Sequence, residues 1–218
     1  MFITLEGSDG CGKTTQVALL ADFLRQAGYD VLLTREPGGT PISEQIRAVL
    51  MDLKNTAMQP RTEILLLQAS RAQLVEEVLR PYLRRGGVVL SDRYADSTLA
   101  YQGYGYQLDL VRLRTLIEFA TGGLKPDLTL LLDVDVDVGL QRRASGGEWN
   151  RLDAYQVDFY HRVRAGYQEM SRLEPERWVV VDAGQSIEQV QQAIRQVVLE
   201  RLADHAQYSL AAAPTADL

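Results

Sequence analysis

The chain has 218 residues, of which 46% are hydrophobic, enough for one globular domain with a full core. Its 23 Lys and Arg against 29 Asp and Glu give a formal charge of −6, which argues against unspecific binding to nucleic acid or to a membrane surface. The single cysteine excludes an internal disulfide, no apolar run is long enough to cross a bilayer, and no signal segment is recognisable, so we expect a cytoplasmic protein.

Short apolar runs alternate with longer segments of helical period along the chain. The runs are FITLE, VLLT, GVVLS, DLTLLLDV and RWVVVD. This alternation is typical of a parallel sheet covered on both faces by helices, so we predict an α/β fold. We expect a single domain over residues 1–205 and a disordered tail over residues 206–218.

The first predicted strand leads directly into GSDGCGKTT, residues 7–15, and a helical pattern follows. This order fits the motif G-x-x-x-x-G-K-[ST], in which backbone N–H groups surround phosphates, the lysine reaches the outer phosphates and the hydroxyl binds Mg²⁺. Lys13 and Thr14 hold these two positions. We therefore predict an ATP site formed by Gly7, Ser8, Asp9, Gly10, Cys11, Gly12, Lys13, Thr14 and Thr15.

Several arginines follow at the sheet edge where ligands of open α/β sheets bind. Arg35 and Glu36 leave the second predicted strand, and Arg47 lies on the next predicted helix. Arg71 shares a later helical stripe with Leu67. Arg35 alone fits a solvated side chain, and Arg71 alone fits an arginine paired with a glutamate. Taken together, they predict a second anion site beside the phosphate loop.

The stretch DRYADSTLAYQGYG, residues 92–105, places charges, hydroxyls and an amide directly after an apolar strand. Asp92 suits Mg²⁺ or its bound water, and Arg93 suits a phosphate. The helix predicted next presents Thr98, Tyr101 and Gln102 within one turn. Their donors and acceptors suit the edge of a base and a sugar.

The motifs GSDGCGKTT, TREPGGT, DRYADSTLAYQG and LLLDVDVDVGLQRR, with a later RLD, together resemble the thymidylate kinase family. The resemblance extends from Met1 to about Leu202. It implies the three-layer fold of phosphate-loop nucleoside monophosphate kinases, with a five-stranded parallel sheet, helices on both faces and a mobile lid over about 142–152. It also implies a homodimer that transfers the γ-phosphoryl group of ATP to dTMP, with Mg²⁺, for dTTP synthesis.

The resemblance also assigns roles to individual residues. Arg47 and Arg93 match clamps on the acceptor phosphate, Arg71 matches the contact to the thymine edge, and Tyr101 matches the ring that disfavours ribonucleotides. Glu36 joins Thr14 and Asp92 as a metal ligand, and the catalytic set is Lys13, Arg93, Arg142 and Arg151. The dTMP site comprises Asp9, Glu36, Arg47, Leu67, Arg71, Arg93, Ser97, Thr98, Tyr101, Gln102 and Tyr155. Analogy of fold places the adenine site around 183–185.

Two positions depart from the family pattern. Leu67 stands where the family usually has Phe or Tyr stacked on thymine, and such stacking is worth on the order of 1–3 kcal/mol. We therefore expect weaker acceptor binding and looser base choice. In the lid, the usual arginine position is Gly146. Arg143 is expected to replace that arginine at the ATP site, although a solvated side chain is an equally good interpretation of Arg143.

Two other functions fit part of the pattern. One is a kinase of another deoxynucleotide or of a nucleoside, but a nucleoside acceptor has no phosphate for Arg47 and Arg93 to bind. The other is a nucleotide-dependent switch that hydrolyses ATP slowly. A switch requires only one phosphate-binding cluster, whereas this sequence predicts two at one sheet edge.

Overall fold

The computed structural model describes residues 1–145 and 157–211, the last six of these by their backbone only. One parallel sheet has the strand order β2-β3-β1-β4-β5. Its members are β1 (Phe2–Glu6), β2 (Val31–Arg35), β3 (Val88–Asp92), β4 (Leu128–Asp133) and β5 (Trp178–Asp182). All five strands lie on the five apolar runs of the sequence, so the predicted five-stranded parallel sheet is confirmed.

Helices connect the strands and cover the sheet. They are α1 (Lys13–Gln26), α2 (Pro41–Met51), α3 (Pro60–Leu74), α4 (Arg80–Arg84), α5 (Ala95–Thr98), α6 (Leu110–Thr121), α7 (Val136–Ser145), α8 (Val157–Leu173) and α9 (Ile187–Ala211). Two π-helical segments, Val75–Leu79 and Leu99–Gly105, continue α3 and α5.

The core has one part on each face of the sheet, because successive side chains of a strand point to opposite faces. Ile3 and Leu5 of β1 pack with Leu20 of α1 and Ile194 of α9. Phe2 points to the other face and packs with the end of α3. The three-layer arrangement predicted from the sequence is therefore confirmed.

The segment after β3 is predicted from the sequence to be one helix of a single type, and the structure differs. Only Ala95–Thr98 is α-helical, and Leu99–Gly105 forms a π-helix. Gly105 lies so close to the ring of Phe159 on α8 that an added Cβ would come within 2.5 Å of it. Close packing of α8 on this glycine accompanies the π-helix, whose turn is wider than that of an α-helix. The helical period of the sequence does not distinguish the two.

Two predicted segments lie partly outside the described residues. The lid predicted over 142–152 begins inside α7, which ends at Ser145, and residues 146–156 are not described. Helix α9 continues to Ala211, past the predicted end of the domain at residue 205, and residues 212–218 of the predicted tail are not described. In the described part of the chain, no helix is both long and apolar enough to cross a membrane.

Candidate active site

A cavity of about 1000 Å³ opens at the carboxyl ends of the strands. Its lining includes seven cationic side chains, namely Lys13, Arg35, Arg47, Arg71, Arg93, Arg142 and Arg143, and three carboxylates, namely Asp9, Glu36 and Asp92. Leu67, Ser97, Thr98, Tyr101 and Gln102 line it too. The fold thus brings both predicted anion clusters into one space.

The phosphate loop joins β1 to α1 and passes directly beneath α7. Gly7, Gly10 and Gly12 have φ angles of 142°, 78° and 94°, a region that favours glycine. A Cβ on Gly10 would overlap the carbonyl oxygen of Gly139, and a Cβ on Gly139 would lie 2.8 Å from the carbonyl oxygen of Asp9. Backbone therefore packs on backbone where α7 meets the loop.

The first turn of α1 directs two functional side chains to different parts of the site. The Lys13 ammonium group donates to the carbonyl oxygens of Gly7 at 3.0 Å and Ser8 at 2.9 Å. The Thr14 hydroxyl donates to Asp92 Oδ2 at 2.6 Å. Two of the three predicted metal ligands are therefore in contact, and both present the oxygen atoms that Mg²⁺ prefers.

Arg93 is held by charged and polar groups on the loop and on the π-helical segment. Its guanidinium pairs with Asp9 Oδ1 at 2.5 Å and donates to the Tyr101 hydroxyl at 3.0 Å and to the Gly7 carbonyl at 3.2 Å. Burial opposes ionisation of Asp9, but Arg93 and Lys13 hold the pKa of Asp9 below its ordinary value. The site therefore holds a fixed cation at the end of β3.

Glu36 and Arg71 form a buried ion pair beside this cation. Arg71 Nη2 lies 2.7 Å from Glu36 Oε2, and both side chains are almost fully buried. Burial raises the pKa of Glu36, although Arg71 acts in the opposite direction. Arg71 also donates to Gln68 Oε1 at 2.9 Å and to the Thr98 hydroxyl at 3.2 Å. Arg71 thus lines the predicted base site while it is paired with a glutamate, as the alternative interpretation expected.

The remaining polar residues predicted for the acceptor already have partners within the protein. Gln102 donates to Glu63 Oε1 at 2.8 Å, and Arg47 donates to the Pro37 carbonyl at 2.9 Å. Burial, with Arg35 in the same direction, lowers the pKa of Arg47. These bonds hold the side chains at the cavity wall.

Helix α7 brings the described part of the predicted lid to the cavity. Arg142 donates to the carbonyl of Ala183 at 2.9 Å, which links α7 to the loop after β5. Ala183 and Gln185 of that loop line the same cavity, as does Arg143. Arg151 and Tyr155, also predicted for the site, lie outside the described residues.

A family model described as thymidylate kinase matches residues 5–194 of the chain. The chain belongs to the thymidylate kinase family. The thymidylate kinase of Roseiflexus sp. (strain RS-1) is 50% identical over 215 residues, covering 93% of this chain and 95% of that protein. That of Thermomicrobium roseum is 54% identical over 200 residues, covering 91% and 94%. The crystal structure of thymidylate kinase from Ehrlichia chaffeensis has a TM-score of 0.75 and 34% identity, covering 91% of this chain and 98% of that one.

Membership of the thymidylate kinase family confirms the resemblance drawn from the sequence. It also confirms the predicted enzyme class, a phosphotransferase of the nucleoside monophosphate kinase type. The roles of individual residues stay predictions, and the geometry above is what bears on them.

Sequence reasoning missed two buried residues that lie next to this site. Glu6, the last residue of β1, is buried beneath Arg93, and burial, with Asp96 in the same direction, raises the pKa of Glu6 to about 7. Tyr167 of α8 donates to Glu6 at 2.8 Å. A charged residue inside the apolar run FITLE was the only signal for Glu6, and nothing in the sequence connects it with a tyrosine 161 residues away.

Proposed function

We propose how the described cavity carries out the reaction of this family. The chain is a phosphotransferase that transfers the γ-phosphoryl group of ATP to dTMP and releases ADP and dTDP, as the sequence predicted. The observation that supports the assignment of roles is the meeting of two cationic clusters in one cavity. Lys13 and the phosphate loop take the donor, and Arg93 with Arg47 takes the phosphate of the acceptor.

The chemistry requires alignment and neutralisation of charge more than proton transfer. The attacking phosphate of dTMP is largely dianionic near neutral pH, since its second pKa is about 6. It therefore needs no general base, and two anions must instead be held in line at close range. Lys13 and Arg93 supply fixed positive charge for this, and Arg142 and Arg151 are the arginines we assign to charge that develops during transfer.

Mg²⁺ fits the oxygen donors that Thr14 and Asp92 present 2.6 Å apart. When bound with ATP, the ion neutralises charge on the phosphate oxygens. Glu36 is the third proposed ligand through Oε1, which is buried and, among the described residues, has no hydrogen-bond partner. The other oxygen, Oε2, already accepts a hydrogen bond from Arg71.

The base and sugar of dTMP are assigned to the wall formed by α3 and the segment after β3. Arg71, Thr98 and Gln102 are assigned to the edge of the base, and Leu67 to its face. Tyr101, whose hydroxyl donates to Asp9 at 3.0 Å, is assigned to the sugar. Ser97, Asp9 and Tyr155 complete the acceptor site.

The donor base is assigned to the loop after β5. Ala183 and Gln185 line the cavity there, and Arg142 connects this loop with the helix that leads into the proposed lid. Arg143, on the same helix, is assigned to ATP.

The proposal includes a cytoplasmic homodimer whose protomers are single domains over residues 1–205. Helix α6 supports the dimer because it exposes large apolar side chains, with Phe119 89% and Val111 71% exposed. Apolar surface of this kind is typical of faces that bind another protein. A second copy of the chain is the proposed partner.

The experiment that tests the function measures ADP release with ATP and Mg²⁺ against a panel of acceptors. The panel contains dTMP, dUMP, dCMP, dAMP, dGMP, the ribose form of TMP, and thymidine. We expect strong turnover with dTMP and none with thymidine, which has no phosphate for Arg93. Comparable turnover with several monophosphates would leave the phosphotransferase reaction in place and indicate that Leu67 relaxes base choice, whereas slow acceptor-independent hydrolysis would favour a switch.

A further inference from the structure

Glu6 is a fully buried carboxylate one residue before the phosphate loop. Its Oε1 accepts a hydrogen bond from the backbone N–H of Tyr94 at 2.7 Å. Its Oε2 accepts from the hydroxyl groups of Ser97 at 2.6 Å and of Tyr167 at 2.8 Å. An ionised carboxylate is costly to bury unless its oxygens are bonded, and here both oxygens have donors.

The two hydroxyl groups that donate to Glu6 also contact Arg93. Arg93 Nη1 lies 3.1 Å from Ser97 Oγ and 3.3 Å from Tyr167 Oη. A hydroxyl has one hydrogen, so a hydroxyl that donates to Glu6 presents only lone pairs to the guanidinium. Ionised Glu6, which can only accept hydrogen bonds, therefore makes both hydroxyls suitable acceptors for Arg93.

Arg93 is fixed in an unusual backbone conformation. Its φ of 71° lies in the left-handed region, which few residues other than glycine adopt. The Ser91 hydroxyl donates to its carbonyl at 2.7 Å, and its own N–H donates to the Leu5 carbonyl at 3.0 Å. With Asp9 bound to Nη2 and the hydroxyls over Glu6 bound to Nη1, both ends of the guanidinium are oriented.

We propose that Glu6 and Tyr167 are positioning residues of the acceptor site, which orient Arg93 through the hydroxyls of Ser97 and Tyr167. This inference rests on the proposed role of Arg93 as the clamp on the dTMP phosphate. Neither Glu6 nor Tyr167 is among the described residues that line the cavity, so both act through Arg93. Tyr167 also ties α8 to the end of β1.

The test compares the binding of dTMP with that of thymidine in Glu6→Gln and Tyr167→Phe variants at pH 8, above the pKa of about 7 that burial gives Glu6. Both substitutions nearly preserve shape while removing the acceptor-only carboxylate or the hydroxyl. We expect each to raise the Kd of dTMP about ten-fold, as the loss of a hydrogen bond to a charged group does, and to leave the Kd of thymidine and the KM of ATP unchanged. The double variant should lose little more than the stronger single one, because both changes act through Arg93.

Tyr104→Phe is the matched control. The Tyr104 hydroxyl bonds Glu169 of α8, so this variant removes another hydroxyl bound to a carboxylate, outside the cavity. We expect it to change neither Kd, and thermal unfolding establishes that each variant is folded. Unchanged dTMP binding in Glu6→Gln and Tyr167→Phe, or equal losses for dTMP and thymidine, would overturn the positioning role of Glu6 and Tyr167 but leave the proposed function intact. A wild-type chain that does not bind dTMP would refute the proposed function.

Discussion

Arg93 contributes to the site through the shape of its guanidinium group as well as through its charge. Its guanidinium bonds Asp9, Tyr101, Ser97 and Tyr167, which belong to three separate parts of the chain. A lysine would keep the charge but offers a single ammonium group, which cannot reach both ends of this arrangement at once. The site therefore requires the planar, forked shape of arginine.

Leu67 tests how much of acceptor binding depends on an aromatic face. This residue lines the cavity one helical turn before Arg71. Leu67→Phe should lower the KM of dTMP about five-fold or more, because a stacked base gains on the order of 1 kcal/mol or more. Steady-state kinetics measure the change, with Leu65→Phe, at an exposed position of the same helix, as the control. A dTMP KM that stays the same in Leu67→Phe would contradict the assignment of Leu67 to the base.

Glu6 should make stability depend on pH in a direction opposite to that of a carboxylate whose pKa is lowered on folding, such as Asp9. Its pKa is raised from 4.5 to about 7 by burial and by Asp96, against the opposing effects of Arg93, Ser97 and Tyr167. Because the folded state holds this proton more tightly than the unfolded state, the free energy of unfolding falls as pH rises from about 4.5 to about 7.

Glu6→Gln removes that dependence. Relative to the wild type, the variant should gain up to about 3 kcal/mol of unfolding free energy between pH 5 and pH 8. Urea unfolding at the two pH values measures the gain. Parallel pH curves for the two proteins would show that Glu6 ionises normally.

At the level of elements, α7 and the phosphate loop are in close backbone contact at Gly139. Gly139→Ala would place a Cβ 2.8 Å from the backbone oxygen of Asp9, so the helix or the loop must shift. We expect kcat to fall about ten-fold or more, because small misplacements of catalytic groups are costly. Val138→Ala, the exposed neighbour on α7, is the control. Unchanged kcat in Gly139→Ala would show that α7 or the loop can shift without affecting catalysis.

The strands and the phosphate loop could be predicted because their signals are local. An apolar run, a glycine pattern and a helical period each lie within a few residues. The π-helix at Leu99–Gly105 could not be predicted, since its turn depends on how Gly103 and Gly105 meet Leu110 and Phe159. Tertiary packing decides that geometry, and the local pattern does not record it.

At the scale of the whole molecule, the sequence located the clusters of the site but not the partners within them. Arg71 and its partner Glu36 lie 35 residues apart in the sequence, and Glu6 and Tyr167 lie 161 residues apart. Such pairings depend on how α3, which carries Arg71, and α8, which carries Tyr167, pack against the sheet. No local pattern in the sequence records that packing.

The exposed side chains of α6 allow the proposed dimer to be tested directly. Phe119→Glu places a charge on this apolar surface and should convert the proposed homodimer to a monomer, because a buried unpaired charge is costly. Light scattering after gel filtration measures the mass, and Arg112→Glu, on an exposed polar position of the same helix, is the control. An unchanged dimer in Phe119→Glu would place the interface elsewhere.

The cationic lining of the cavity has a consequence for how fast substrates arrive. The chain carries a formal charge of −6, yet seven of the described cationic side chains line one opening with only three carboxylates. The net negative charge of the chain repels nucleotides at long range, whereas the cationic lining of the cavity attracts them, so the field guides diffusion towards the site. Added salt screens both effects, and kcat/KM for dTMP should therefore decline with ionic strength while kcat changes little.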